Sequence, residues 1–178
     1  MTAQGIAVFE TVLGHCGIAW GEHGVVGVRL PEGNAARTLA RLQASVPDAV
    51  ETEPPGEIQL AIAEIVALLR GEPRDLAAVR LDYTGVPEFH RRVYELARTI
   101  PPGKTLTYGD VAHQLGLPGS AQAVGQALGR NPFPIVVPCH RVLAAGGGMG
   151  GFSAPGGVDT KLKMLVIEGA LSEQPTLF

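Results

Sequence analysis

The segment "NPFPIVVPCHRV", residues 131–142, places one of the chain's two cysteines between a proline and a histidine. Pro138 fixes its own φ and biases Val137 toward an extended conformation, and Pro132 and Pro134 restrict the approach in the same way. Cys139 is therefore expected in a stiff extended segment, outside any helix. Two readings fit it. One is a small buried apolar residue, the common fate of a free cysteine. The other is a nucleophile, which needs thiolate character from a nearby imidazole, cation or helix terminus. His140 and Arg141 follow directly, but in an extended strand successive side chains face opposite ways, so His140 would need a water bridge or a turn to reach the sulfur.

The other reactive residue types are less suggestive. Cys16 has His15 beside it but no second pair at zinc-ligand spacing, so packing is its expected role and no metal site is expected. The stretch "AAGGGMGGFSAPGG", residues 144–157, reads as a substrate loop or as a surface turn. It lacks the "GKS" ending of a phosphate loop and a GxGxxG in a strand-helix unit. Downstream, "DTKLKMLVIEGA" predicts a helix with Asp159 as cap, Leu162, Leu165 and Val166 inward, and Gly169 as the stop. Glu168 sits where the helix dipole gives it no help, and on its own reads as a surface acid.

The elements that must position Cys139 begin near Pro87. In "VPEFHRRVYELARTI" the stripe Phe89, Val93, Leu96 and Ile100 predicts a helix. In "TLTYGDVAHQLGLPGSAQAVGQALGRN" two short helices flank a "GLPG" turn, with Thr107 and Asp110 at capping spacing and Ser120 capping the second. Helix, tight turn, helix serves either a duplex-binding unit or two helices that simply pack together. Gly125 and Gly129, each costing a helix interior about 1 kcal/mol, together with Gln126 favour close approach to a nucleic-acid backbone or to another helix. The front of the chain predicts strands over Ile6–Thr11, Gly17–Trp20 and Val25–Leu30 with a turn at Gly21–Gly24, a helix over residues 34–45, a polar linker around "PDAVETEPPG", and a helix in "EIQLAIAEIVALLRG" with Ile58, Ile62, Ile65 and Leu69 inward. It holds no catalytic cluster.

A chain of 178 residues with 46% hydrophobic content can bury a core without staples. Its start lacks a basic leader with a long apolar core, and no apolar run approaches the roughly 20 residues needed to span a bilayer, so a reducing cytoplasm without membrane association is expected. The net charge of −3 argues mildly against a nucleic-acid partner, but residues 1–86 carry 6 basic and 11 acidic side chains while 87–142 carry 6 and 3. A locally positive face around Cys139 is compatible with that distribution.

Taken together, "TYGDVA", "AVGQALGRNPFPIVVPCHRV" and the final "GGFS…IEGA" resemble the O6-alkylguanine-DNA alkyltransferases, or methylated-DNA-protein-cysteine methyltransferases, over residues 87–170. The resemblance implies an α/β protein: a small strand-rich N-terminal domain (1–86) and a mostly helical C-terminal domain (87–178) with a winged helix-turn-helix-like unit. It implies a partner, double-stranded DNA containing O6-alkylguanine, no cofactor, and a monomer that transfers one alkyl group irreversibly to Cys139. By the same resemblance His140 links to the sulfur through water, Glu168 orients His140, and Tyr108 supplies a proton to the leaving base. Asn131 braces the active-site turn, Val142 offers backbone groups to the base edge, and Ser153 and Lys161 are donors near guanine O6. The helix from Ser120 to Gly129, including Gln122, Ala123, Gly125 and Gln126, matches a recognition helix that enters the minor groove.

One position departs from the family pattern. The arginine that fills the gap left by the flipped base is replaced by Gln122, which can hydrogen-bond the orphan base but releases no counterion. Weaker duplex binding or altered lesion preference is the expectation. The rival readings are a DNA-binding regulator or lesion-recognition protein without efficient transfer, and a cysteine hydrolase, for which no separate His and acid constellation exists in the sequence.

Overall fold

The computed structural model describes residues 3–147 and 157–171. β1 (Ala3–Thr11), β2 (Gly14–Gly21) and β3 (Gly24–Arg29) form an antiparallel meander. β4 (Val50–Glu51) joins β1 in parallel, completing a four-stranded sheet of order β3-β2-β1-β4. β4 lies inside the predicted polar linker. Both its residues are exposed, so backbone pairing makes the strand and no hydrophobic alternation announces it.

Alternation along β2 serves two layers. Cys16, Ile18 and Trp20 point into the main core, while Ala19 joins Ile6, Val26 and Leu42 under α1 (Ala35–Ser45). Asn34 caps α1 by accepting the Arg37 amide at 2.8 Å. α2 (Gly56–Leu69) buries Ile58, Ile65 and Leu69 as predicted, with Ile62 half-buried. The β2–β3 turn requires Gly24, whose φ is +117° and where a Cβ would sit 2.5 Å from the Arg80 carbonyl. The connection 80–82 thus runs tightly along β3: Val25 N–H donates to Arg80 O at 2.8 Å and Asp82 N–H to Val25 O at 2.8 Å.

In the second half, α3 (Glu88–Ala97) buries Val93, Tyr94 and Ala97, so its inward face is rotated from the predicted stripe and leaves Phe89 and Leu96 at the margin. Tyr94 can be buried because its hydroxyl donates to Ala127 O at 2.6 Å. β5 (Leu106–Thr107) leads into α4 (Tyr108–Gln114), whose capping box is present in full: Asp110 N–H donates to Thr107 Oγ1 at 3.0 Å, and Thr107 N–H to Asp110 Oδ2 at 2.9 Å. α5 (Ala121–Gly129) packs against α4 and α3. Ser120 occupies its N-cap position but makes no side-chain cap bond, contrary to expectation; its ψ of 20° is not the extended backbone that aims a capping oxygen at the first turn.

β6 (Val142–Leu143) pairs in parallel with β5. α6 (Gly157–Ile167) buries Lys161, Met164 and Leu165, while the predicted inward residues Leu162 and Val166 are only half-buried. Asp159 lies in the first turn of α6, which starts two residues before the predicted cap. Gly169, at φ +79°, ends the helix, with Ala170 N–H donating to Leu165 O at 2.9 Å. One apolar core runs from the sheet through α2 and α3 to α5 and the Cys139 segment. Among the described residues no helix is long and apolar enough to cross a membrane.

Candidate active site

Cys139 opens a one-turn 3₁₀ helix, Cys139–Arg141, directly after Pro138. The extended segment predicted for it is therefore corrected: the prolines stiffen the approach, but the chain turns at the cysteine itself. That turn brings residues 139–141 into one buried cluster, so the opposite-face geometry of a strand does not apply here.

Asn131 organises the preceding loop from both ends of its amide. Its Oδ1 accepts the Phe133 N–H at 2.8 Å and its Nδ2 donates to Val137 O at 3.0 Å, while Val137 N–H donates to Phe133 O at 2.8 Å. Inside this loop Ile135 has φ +77°, a left-handed conformation unfavourable for a β-branched residue. Its side chain is buried, so packing and the Asn131 clamp hold it there. The loop is also tied to the sheet, because Val28 N–H donates to Pro132 O at 2.9 Å.

The two residues after the cysteine join Glu168 in a hydrogen-bonded triad. His140 Nε2 is 2.9 Å from Glu168 Oε2, and Arg141 grips the same carboxylate in bidentate fashion, Nε to Oε1 at 2.8 Å and Nη2 to Oε2 at 2.8 Å. A third Arg141 nitrogen, Nη1, donates to Ile100 O at 2.6 Å. The side chain of Glu168 is only 2% exposed, which overturns the reading of a surface acid. Burial alone would raise its pKa, but the hydrogen bonds from Arg141 and His140 prevail and hold it down to about 2. With Glu168 ionised, Nε2 of His140 carries the proton it donates, and Nδ1 is left as the lone pair. That Nδ1 is buried and has no hydrogen-bond partner among the described residues. Burial also depresses the His140 pKa, so the ring stays neutral and able to accept a proton.

Burial pushes the Cys139 thiol up; opposing it are a hydrogen bond with the Asn131 side chain, the Lys161 charge and the backbone N–H groups of Cys139 and His140. The resting group is thus a thiol, and reaction requires a base. Lys161, itself buried and with a lowered pKa, donates from Nζ to Val142 O at 2.8 Å. Val142 N–H donates to Cys139 O, so both backbone groups of Val142 have partners inside the protein. Tyr108 starts α4 half-buried, with its hydroxyl pKa raised first by burial and then by Cys139. The β5–β6 pair, which the sequence does not announce, is what sets Tyr108 beside the cysteine turn.

Cys139 lines an open cleft of about 1190 Å³. Tyr108, Gln122, Gly125, Gln126 and Asn131 line it on one side, and β3 and α1 residues on the other. Ser120, the residue before α5, and Ala123, next to Gln122 on α5, do not line the cleft. Gly125 lies against the Tyr108 ring, where a Cβ would make ordinary contact at 3.9 Å. Ser153 lies outside the described residues. Cys16, by contrast, is fully buried beside Thr11 with its thiol pushed up to about 11, a packing residue. The clamp Arg141 puts on Glu168 is the feature sequence reasoning missed; its only sequence signal is adjacency to the cysteine and histidine.

A buried thiol that lines a cleft beside a helix pair is placed to accept a group from a ligand held in that cleft. Comparison with known proteins makes the class specific. Residues 88–170 match the family model for the 6-O-methylguanine DNA methyltransferase DNA-binding domain. A methylated-DNA–protein-cysteine methyltransferase of Methanothermobacter thermautotrophicus is 37% identical over 157 residues, covering 88% of this chain and 81% of that protein. One from Mycolicibacterium paratuberculosis is 44% identical over 117 residues, 66% of this chain and 68% of that protein. The crystal structure of Mycobacterium tuberculosis OGT in complex with DNA superposes with a TM-score of 0.75 at 33% identity, covering 93% of this chain and 92% of that one. The chain belongs to the methylated-DNA–protein-cysteine methyltransferase family.

Proposed function

We propose that the protein repairs double-stranded DNA by direct reversal, moving a methyl or small alkyl group from guanine O6 to Cys139 once per molecule. The observation that carries this is Cys139 lining the cleft, followed by neutral His140, whose Nδ1 has no hydrogen-bond partner among the described residues and whose Nε2 is fixed on ionised Glu168. A water between Nδ1 and the sulfur relays the thiol proton to His140. The sulfur lone pair then forms the S–C bond while the C–O6 bond breaks and its electron pair goes to O6. Tyr108, at the head of α4, donates a proton to the departing base, and the proton taken up by His140 returns through water to the Tyr108 oxygen, so the net change moves one proton from the thiol to guanine. The thioether has no release step, so turnover stops at one.

In this reading the damaged nucleotide is extruded into the cleft, at a cost of a few kcal/mol. Residues Ser120, Gln122, Ala123, Gly125 and Gln126 of the α5 region face the minor groove. Asn131 fixes the turn, Ser153 and Lys161 stabilise charge growing on O6, and the Val142 carbonyl uses its second lone pair on the base edge. Residues 87–178 carry the chemistry and residues 1–86 support them. A single chain suffices, no cofactor takes part, and a reducing cytoplasm keeps the two free cysteines as thiols.

The test is intact-protein mass after incubation with duplex containing one O6-methylguanine, beside unmodified duplex and Cys139→Ala. One methyl mapped to Cys139, absent from both controls, is expected. No mass change in folded protein that binds the same duplex would move the reading to lesion recognition without transfer.

A further inference from the structure

The cleft is larger than a flipped base requires: its volume of about 1190 Å³ exceeds the roughly 300–1,000 Å³ that encloses a drug-sized ligand. It extends past Cys139 along the flank of α5, between Gln122, Gln126 and Gly129 on one wall and Arg29, Glu32, Arg41 and Ser45 on the other. The second wall belongs to β3 and to α1 with the loop between them, elements with no part in the chemistry. Its charged members are unequal. Arg29 and Glu32 neutralise each other at 3.0 Å. Arg41 is exposed and has no hydrogen bond or ion pair among the described residues. Among the described residues the cleft therefore carries one uncompensated charge, a cation, facing the helix whose own exposed side chains here, Gln122 and Gln126, are neutral.

We infer that the α1 wall of this cleft is a DNA-backbone docking surface, with Arg41 contacting a phosphate of the strand that runs beside α5. The inference rests on the repair reading, in which α5 occupies the minor groove. A helix in that groove is flanked by two phosphodiester ridges, and the cleft is the space one ridge would fill. Arg41 supplies from across the cleft the counterion release that Gln122 does not. A contact to phosphate carries no base information, so it strengthens binding to damaged and undamaged duplex alike.

The test is duplex affinity by fluorescence anisotropy across a salt series, for the wild-type protein, Arg41→Ala, Arg41→Lys and Arg70→Ala. The last removes an exposed cation that does not line the cleft and controls for net charge. Arg41→Ala is expected to reduce the magnitude of the log Kd against log salt slope by about 0.9, equally on methylated and unmodified duplex, while Arg41→Lys and Arg70→Ala keep the wild-type slope. Thermal melts of the same samples verify folding, and because Arg41→Lys keeps the cation, its slope separates charge from packing. An unchanged slope in Arg41→Ala, or an equal loss in Arg70→Ala, overturns the inference. Methyl uptake by the wild-type protein on the same duplex is scored separately, so failure of the repair reading shows as absent uptake and failure of the docking surface as an unchanged slope.

Discussion

Arg141 is the residue whose sequence context says least about its work. It has no route to the sulfur, yet it holds both oxygens of Glu168 and thereby fixes which oxygen His140 meets. Arg141→Met is expected to destabilise the protein by roughly 3–5 kcal/mol, the cost of leaving a buried carboxylate without its partner, measured by urea unfolding at neutral pH. The same triad sets the acid response. His140 and Glu168 both have folded-state pKa values below their ordinary ones, so the unfolded chain binds protons first as pH falls. Stability is complete above the ordinary histidine range of about 6.5 and declines below it as unfolded His140 takes up its proton. A second loss follows from the ordinary glutamate range of about 4.3 down toward pH 2. The cationic side chains facing these groups are Arg141 and Lys161. Glu168→Gln is expected to flatten the second loss while lowering stability at pH 7, read from unfolding midpoints between pH 7 and pH 3. The transfer rate runs on a separate scale: burial raises the Cys139 thiol, so single-turnover rates on damaged duplex should climb with pH above neutrality.

At the level of elements, the helix pair separates what a capping motif promises from what it delivers. Thr107 and Asp110 form a reciprocal box, whereas Ser120 occupies a cap position without making the bond. Thr107→Ala should cost about 1 kcal/mol and Ser120→Ala well under half that, compared as shifts in thermal midpoint. Gln122 belongs to this scale because it leads α5 into the cleft. Gln122→Arg is expected to tighten duplex binding and steepen the salt slope by about one contact; unchanged affinity and transfer rate would show that glutamine is no handicap. Most of these elements were legible in advance: the meander, α1, α2 and the pair α4–α5 follow from periodicity, glycine turns and caps. The two-residue strands β4, β5 and β6 were not, because they are defined by backbone partners far away in the chain. Cys139, His140 and Tyr108 could be named from motif resemblance. The burial of Glu168 could not be read locally, since it depends on an arginine 27 residues upstream. The same is true of the buried Lys161, whose place in α6 reads as a solvent face until Val142 is known to lie behind it.

For the molecule as a whole, the two halves share one core: Ile18, Trp20 and Leu30 from the sheet side belong to the same apolar cluster as Val93, Tyr94 and Val137. Residues 87–178 expressed alone should therefore expose apolar surface and aggregate or bind a hydrophobic dye, which light scattering on the truncated chain would reveal. The main-chain bonds that β3 makes outward, to Arg80 and Asp82 through Val25 and to Pro132 through Val28, have a further effect on how copies of the protein meet. An outer strand with idle amides invites a passing strand to extend the sheet. Here those positions, at Val25 and Val28, are already taken by the protein's own chain, so there one copy gives another no template to zipper onto.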